Sequence, residues 1–405
     1  MKDSKKLTII HFQGARFAKY MYTSFSEKDF GITAKGFQAY LCEEQAKLGN
    51  KVIGVLFSKD GKSLIIERRK KYNVYFFPSV FQLPFPFNKI YREPLNIGIF
   101  FQLLRFKPDI IHLHGLFTFH LLHLFLIPLL RLKKIKVFSH LRGLDPVNPF
   151  ENPIFFLFHF VQFLLCRFSN KVLCLNKRVG FLLQKFKLCR RKKIELIPNG
   201  INLDLFKPMD KEACKKNLHL DQNFRYILLV NRISLPQKDP FTVLESLRDF
   251  LLKNDDIKVI IIGDGPDLPK LKNYIKKLKL KNKIIHYKLV THQEMPLFYN
   301  VAECFILHSK FEGMPKVVLE AFATKTPVIA SNIHSIRYLV THEKNGILVE
   351  FQNKNQILNA VKLVLSKEDV RRKMVNNAFN FIQNFSWKKI SKKLIKLYHK
   401  EIENK

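Results

Sequence analysis

Residues 309–321 read Ser309-Lys310-Phe311-Glu312-Gly313-Met314-Pro315-Lys316-Val317-Val318-Leu319-Glu320-Ala321. The run 303–307 ahead of them, apolar after Glu303, has strand character, and Pro315 stands where a helix would begin. Glu312 therefore sits in a loop between a strand and a helix, and the glycine after it lets backbone come close to a ligand. A helix mouth offers N–H groups without intrahelical partners and the positive end of a dipole, which together cradle phosphate. Seven residues separate Glu312 from Glu320, so one lies at the mouth and the other about two turns along, in reach of different parts of one elongated ligand. Taken alone, the stretch also fits two incidental glutamates.

On both sides of this stretch, short β-branched and aromatic runs alternate with longer amphipathic segments, the pattern of parallel α/β sheets. In the second half strands are expected at 226–230, 258–262, 284–287, 303–307, 327–330 and 346–349, with helices at about 240–252, 266–278, 315–324 and 355–365. In the first half the strand candidates are 7–12, 51–57, 74–77, 109–113, 135–139, 171–175 and 194–197, with a helix over 33–48. The turn-rich Ile197-Pro198-Asn199-Gly200-Ile201-Asn202 separates the halves. The expectation is an α/β chain of two doubly wound, Rossmann-like domains, 1–200 and 201–385, facing each other across a cleft at the carboxyl ends of their strands. Trp387, Ile390, Leu394 and Leu397 recur at helical spacing, so 386–405 is expected to be an amphipathic helix docking back on the first domain.

Composition agrees with a folded chain of this size. The 405 residues carry 70 Lys+Arg against 33 Asp+Glu, a formal charge of +37. Such a length calls for two domains. Ordinary globular usage, 47% hydrophobic and 25% charged, excludes wholesale disorder and collagen-like or mucin-like tracts. Six scattered cysteines, with no C-x-x-C pair and no histidine at zinc-finger spacing beside them, argue against a disulfide framework or a zinc site. The apolar run 7–12 is much shorter than the core of a secretory signal. The longest apolar stretch, 116–132, carries His120, His123 and Pro128, so no transmembrane helix is expected.

Gly263-Asp264-Gly265-Pro266 has the look of a dinucleotide fingerprint, but position 268 is Leu and no third glycine follows. Read in order, Ile197-Pro198-Asn199-Gly200-Ile201, Ile261-Ile262-Gly263-Asp264-Gly265-Pro266, Glu312-x7-Glu320, Pro327-Val328-Ile329-Ala330 and Asn345-Gly346-Ile347-Leu348-Val349 resemble the retaining glycosyltransferases of family 4, which have the GT-B fold. The resemblance implies that Glu312 hydrogen-bonds a hydroxyl of the transferred sugar and Glu320 the ribose hydroxyls of a nucleotide. Ionised carboxylates suit both tasks, because they accept from vicinal hydroxyls. Gly313, Met314 and Pro315 would meet the diphosphate, and Gly263 and Gly265 would belong to the same donor site. Arg232 and Lys238 stand where the family keeps an Arg and a Lys to stabilise the departing diphosphate. The donor is then a nucleoside-diphosphate sugar, UDP or GDP, with no other cofactor. Two cations and a helix dipole leave no need for a metal, and no carboxylate cluster with metal spacing is visible. Departures from the family pattern are Asn231 and Asp239, where glycines are common, His334, where many relatives carry Gly, and Tyr338, where many carry Glu.

The first half resembles the family more weakly. Asp109-Ile110-Ile111-His112-Leu113-His114-Gly115 runs from a strand into a loop where the family often places a histidine that contacts the donor sugar. His114 is the candidate, with His112 read as pointing to the other face. His140, Arg142 and Asp145 end the next strand in the same way and are acceptor-side candidates. For the family's glycine-rich loop the nearest equivalents are Gly14 and Gly31-Ile32-Thr33. Residues 177–193 hold eight Lys/Arg and no acid, interleaved with Phe181, Leu182, Leu183, Phe186 and Leu188, and 270–283 hold seven Lys and no acid. That composition favours an anionic membrane surface as a partner. The resemblance implies the rest: a glycan or lipid-linked acceptor, in synthesis of lipopolysaccharide, capsule or exopolysaccharide at the cytoplasmic face of the inner membrane. The rivals are nucleic acid, for which no recognition motif accompanies the charge, and a sugar-nucleotide-binding protein that no longer catalyses.

Overall fold

A computed structural model describes residues 5–13, 37–57, 65–69, 71–77, 103–114, 130, 133–141, 163–235 and 237–404. The chain divides into two compact units, Met1–Gly200 with Trp387–Lys405, and Ile201–Ser386.

The first unit holds an eight-stranded sheet: β1 (Thr8–Gln13), β2 (Lys51–Phe57), β3 (Ile65–Arg68), β4 (Asn73–Phe77), β5 (Ile110–His114), β6 (Lys136–Leu141), β7 (Lys171–Cys174) and β8 (Ile194–Leu196). Their order is β3-β4-β2-β1-β5-β6-β7-β8. Every neighbouring pair is parallel except β3 with β4. Parallel strands bury both faces, which explains why these runs are apolar at successive positions. Ile10, Phe12, Ile53, Val55, Ile111 and Val137 fill one side, and Leu7, Ile9, Ile110, Phe138 and Leu173 the other. Among the described helices of this part are α1 (Phe37–Lys47) and α2 (Lys177–Lys185).

The second unit is a six-stranded, all-parallel sheet: β9 (Arg225–Val230), β10 (Ile257–Ile262), β11 (Ile284–Tyr287), β12 (Ala302–Leu307), β13 (Val328–Ser331) and β14 (Ile347–Val349), in the order β11-β10-β9-β12-β13-β14. Around it run α3 (Lys211–Asn217), α4 (Pro240–Lys253), α5 (Leu268–Lys277), α6 (Met295–Val301), α7 (Lys316–Ala323), α8 (His334–Arg337), α9 (Lys354–Ser366) and α10 (Glu368–Ile382). All six second-half strands and four helices lie where periodicity puts them, to within a residue or two. The reading missed α3, α6, α8 and α10, and in the first unit it missed β3. That strand pairs antiparallel outside the β-α-β rhythm from which the others were recognised.

A last helix, α11 (Trp387–Glu403), returns to the first unit. Trp387, Ile390, Leu394 and Tyr398 form its buried stripe and pack with Leu7, Ile9, Leu41, Ile110 and Phe138. Leu397, placed on that stripe by the sequence reading, is only partly buried, and Tyr398 takes the inner position. Gly200 makes room for this docking, since a Cβ there would come within 2.4 Å of the Trp387 ring. Leu394→Ala is expected to cost about 2–5 kcal/mol through the cavity it leaves, and Gly200→Ala about 1–3 kcal/mol through overpacking. Chemical denaturation checks both as a lowered midpoint at unchanged slope.

Candidate functional site

In the second sheet, strands added after β9 run one way and those from β12 run the other, so the order reverses between β9 and β12. Beyond the carboxyl ends of such a pair, neighbouring loops part and leave a crevice for a ligand. The loops leaving these two strands carry Arg232 and Lys238 on one side and Glu312 to Pro315 on the other.

The loop after β9 is held through its backbone N–H groups. Asn231 N–H donates to the Ile262 carbonyl at 3.1 Å, Ile233 N–H to the Asp264 carbonyl at 2.9 Å, and Leu235 N–H to Asp267 Oδ2 at 2.8 Å. This closeness is the reason for the glycines. A Cβ on Gly263, whose φ is +148°, would lie 1.9 Å from the Asn231 carbonyl oxygen, and one on Gly265 2.0 Å from that of Ile233. Gly263 and Gly265 thus seat the segment carrying Arg232, which is exposed. Further along, Lys238 pairs with Ser309 in an antiparallel bridge, and Lys310 N–H donates to the Gln237 carbonyl at 2.9 Å. Asp239, a departure from the family pattern, caps α4 by accepting from Thr242 N–H at 3.0 Å.

The clasp between the two loops brings Lys238 Nζ onto Glu312 Oε1, and both side chains are mostly buried. Such a partly desolvated pair contributes little net stability but fixes where each charge sits. Gly313, Met314 and Pro315 follow, and Pro315 occupies the N-cap of α7 with no side-chain cap. One turn into the helix, Glu320 is 6% exposed, and its Oε2 accepts from the Tyr299 hydroxyl at 2.9 Å. Burial raises the Glu320 carboxyl above the usual carboxylate range, opposed by the Tyr299 hydrogen bond and the nearby Lys316 charge. Burial and the facing carboxylate likewise push the Tyr299 phenol up. The His292 ring lies tilted against Phe206, and burial together with Lys316 holds it down at about 4. Tyr299 and His292 escaped the sequence reading because α6 and the loop before it carry no motif.

In the first sheet the order reverses between β1 and β5, and the carboxyl ends of these strands carry histidines. His11 lies opposite His112, and His114 opposite His140. The expectation that His112 and His114 point to opposite faces is corrected: side chains repeat every second residue along a strand, and the two rings stack 4.0 Å apart. All four histidines are buried, His114 with 4% exposed. His11, the member that sequence reasoning missed, places Nδ1 2.8 Å from His114 Nε2. His140 Nε2 lies 3.2 Å from the Ile197 carbonyl oxygen. Arg142, Asp145, Gly14 and Gly31-Ile32-Thr33 lie outside the described residues.

The basic segment 177–193 is less amphipathic toward its surroundings than its composition implies. Leu183 and Leu188 belong to the domain core and Phe186 packs against it, because α2 covers the sheet. Phe181 is the large apolar side chain of this segment left outside, at 62% exposure. Among the described residues no helix is long and apolar enough to cross a membrane.

Two family descriptions match the chain in sequence. "Glycosyltransferase Family 4" covers residues 38–205 and "Glycosyl transferases group 1" residues 210–381. Among curated relatives, the UDP-Gal:alpha-D-GlcNAc-diphosphoundecaprenol alpha-1,3-galactosyltransferase of Escherichia coli is 29% identical over 240 residues, 56% of this chain and 61% of that protein. The alpha-monoglucosyldiacylglycerol synthase of Streptococcus pneumoniae is 27% identical over 266 residues, 64% of this chain and 58% of that protein. The matches thus span about six-tenths of the length of these relatives. Among solved structures, sucrose-phosphate synthase from Thermosynechococcus elongatus superposes with a TM-score of 0.75 at 17% identity, covering 98% of this chain and all of that one. Anabaena HepE in complex with UDP and glucose superposes at 0.71 and 15%, covering 96% and 99%. The fold is therefore GT-B, and with both halves matched in order the chain belongs to the family 4 glycosyltransferases.

Proposed function

We propose that this chain transfers a sugar, a hexose or N-acetylhexosamine, from a nucleoside-diphosphate sugar to a glycan or lipid-linked acceptor, with retention at the anomeric carbon. The observation that carries this reading is the Lys238–Glu312 pair beside the uncapped mouth of α7, with buried Glu320 one turn along. A donor entering the crevice would exchange that ion pair for two better matched contacts. Lys238 would turn to the diphosphate and Glu312 to a sugar hydroxyl, while Glu320 receives the ribose. In the transfer step the bond from the anomeric carbon to the phosphate oxygen breaks with its electron pair on the diphosphate. The acceptor oxygen attacks from the same face and gives its proton to the departing phosphate. Lys238, Arg232 and the N–H groups at the start of α7 oppose the charge that develops.

UDP is the favoured nucleotide, supported by the UDP-galactose donor in the name of the E. coli relative and by the UDP bound in the Anabaena structure. Those two curated names, one with a diphosphoundecaprenol acceptor and one a glycolipid synthase, support an acceptor anchored in lipid. The basic segment around α2, with Phe181 outermost, would then meet the anionic surface where that acceptor lies, in surface polysaccharide synthesis on the cytoplasmic side.

A thermal-shift and hydrolysis screen against UDP-, GDP-, ADP- and CMP-sugars is expected to give a rise in melting temperature with one nucleotide class, UDP. Lys238→Ala and Glu312→Gln should each lower turnover about 10²–10³-fold in a protein that still melts cooperatively. Near-normal turnover in both would sink the assignment. Glu320→Gln separates binding from stability. A carboxyl whose folded pKa is raised loses stability as pH climbs from its unfolded value through its folded one, so the variant should gain stability over the parent above the ordinary carboxylate range and lose that gain below it. Nucleotide affinity should fall at the same time. At the membrane, binding to vesicles containing phosphatidylglycerol should weaken with added salt and again with Phe181→Ala.

A further inference from the structure

His308 follows β12 directly, one residue before the Ser309 that bridges to Lys238, and it is 1% exposed. The geometry points to His308 as a positioning residue for Lys238: its neutral ring ties together the chain ends leaving β12, β13 and β14 and so fixes the bridge from which Lys238 extends. The inference rests on the reading of Lys238 as a cation for the departing diphosphate.

Each contact has a sense that the ring must satisfy. The backbone N–H of Gln352 can only donate and lies 3.1 Å from His308 Nε2, so that nitrogen holds a lone pair and the ring hydrogen sits on Nδ1. Nδ1 is 3.3 Å from Ser331 Oγ, which also accepts from Ser309 N–H at 2.9 Å. The ring stacks on Phe351 with centroids 4.8 Å apart and planes at 12°. On the backbone side, the His308 carbonyl accepts from Asp239 N–H at 3.2 Å, and Ser309 pairs with Lys238. Gln352 has φ +64°, a left-handed conformation that a residue with a side chain keeps only where its surroundings hold it.

Protonating Nε2 would set N–H against N–H and release this turn. Burial holds the ring below the usual imidazole range, opposed by the Asp239 carboxylate. Of the other charged groups on these elements, Glu350 accepts from Asn332 at 2.6 Å, Lys354 pairs with Glu245, and Lys238 with Glu312. For an imidazole held down in the folded state, the unfolded chain takes up the proton first. The stability supplied by the neutral ring is therefore whole above the unfolded value and is lost as pH falls below it.

The test follows hydrolysis by the full chain of the UDP-sugar that shifts its melting temperature. His308→Ala is expected to lower kcat about 10- to 100-fold with a smaller change in KM, as a displaced Lys238 meets less of the charge that appears in the transition state. In a Lys238→Ala background the same change should cost about 2-fold or less, because its target is gone. His308→Gln, whose amide oxygen can take the Gln352 N–H, should recover most of the loss, and its denaturation midpoint should fall less than the parent's between about pH 7 and about pH 5. His308→Asn, too short to reach Gln352, replaces the alanine variant if that one does not fold. A kcat near the parent's in His308→Ala, or an equal fold-loss with and without Lys238, overturns the proposal and leaves His308 a core side chain. Normal turnover in Lys238→Ala is a separate failure, that of the underlying reading, and takes this proposal with it.

Discussion

The reversal of strand order between β9 and β12 is the constraint on which the second unit's chemistry rests. A parallel sheet that grows in both directions from its centre must part its loops there, and the chain has filled the gap from both sides. One loop is pressed against the β10 turn so closely that Gly263 and Gly265 have no room for a Cβ, and that pressure sets the path leading to Lys238. The other ends in Pro315 and opens directly into α7. Glu312 and Lys238 meet because their two loops are joined backbone to backbone, through the Lys238–Ser309 bridge and the Lys310 N–H to the Gln237 carbonyl. Their attraction follows from the backbone and does not create it.

The second unit was largely legible in the sequence because its strands are short, apolar and separated by helices with prolines and aspartates near their starts, as at Asp239-Pro240. The placing of Glu312 ahead of a helix and Glu320 along it also survived translation into structure, although the helix starts at Lys316 and Glu320 lies one turn in where two were expected. What remained hidden depends on contacts between distant residues. Tyr299 matters because its hydroxyl reaches Glu320, and nothing local to Tyr299 announces that. His11 lies 103 residues from His114 and becomes its neighbour through the β1–β5 register alone. The misreading of His112 is different in kind, since the two-residue period of a strand was enough to place it beside His114.

Buried polarity is handled differently in the two units. In the second, a carboxylate is kept under cover with a phenol as partner, and burial works against its charge. Proteins tolerate such costs where a ligand will later supply the missing hydrogen bonds. In the first, the buried polar groups are imidazoles, which can stay neutral and exchange hydrogen bonds with Gln45, Tyr398 and one another.

The return of α11 has a consequence for how the chain reaches its fold. Leu7, Ile9 and Phe138 lie on a sheet face that is completed by residues beyond 386, after the entire second unit has been made. At ~5–20 residues per second, that interval lasts roughly 10–40 s on the ribosome. During it the first-made unit carries an apolar face that α1 covers only in part, while the later-made unit already has every strand it needs. The order of maturation is thereby inverted with respect to the order of synthesis. The nascent first half is the part with most need of a chaperone, and a ribosome stalled just short of α11 would strand it in an aggregation-prone state.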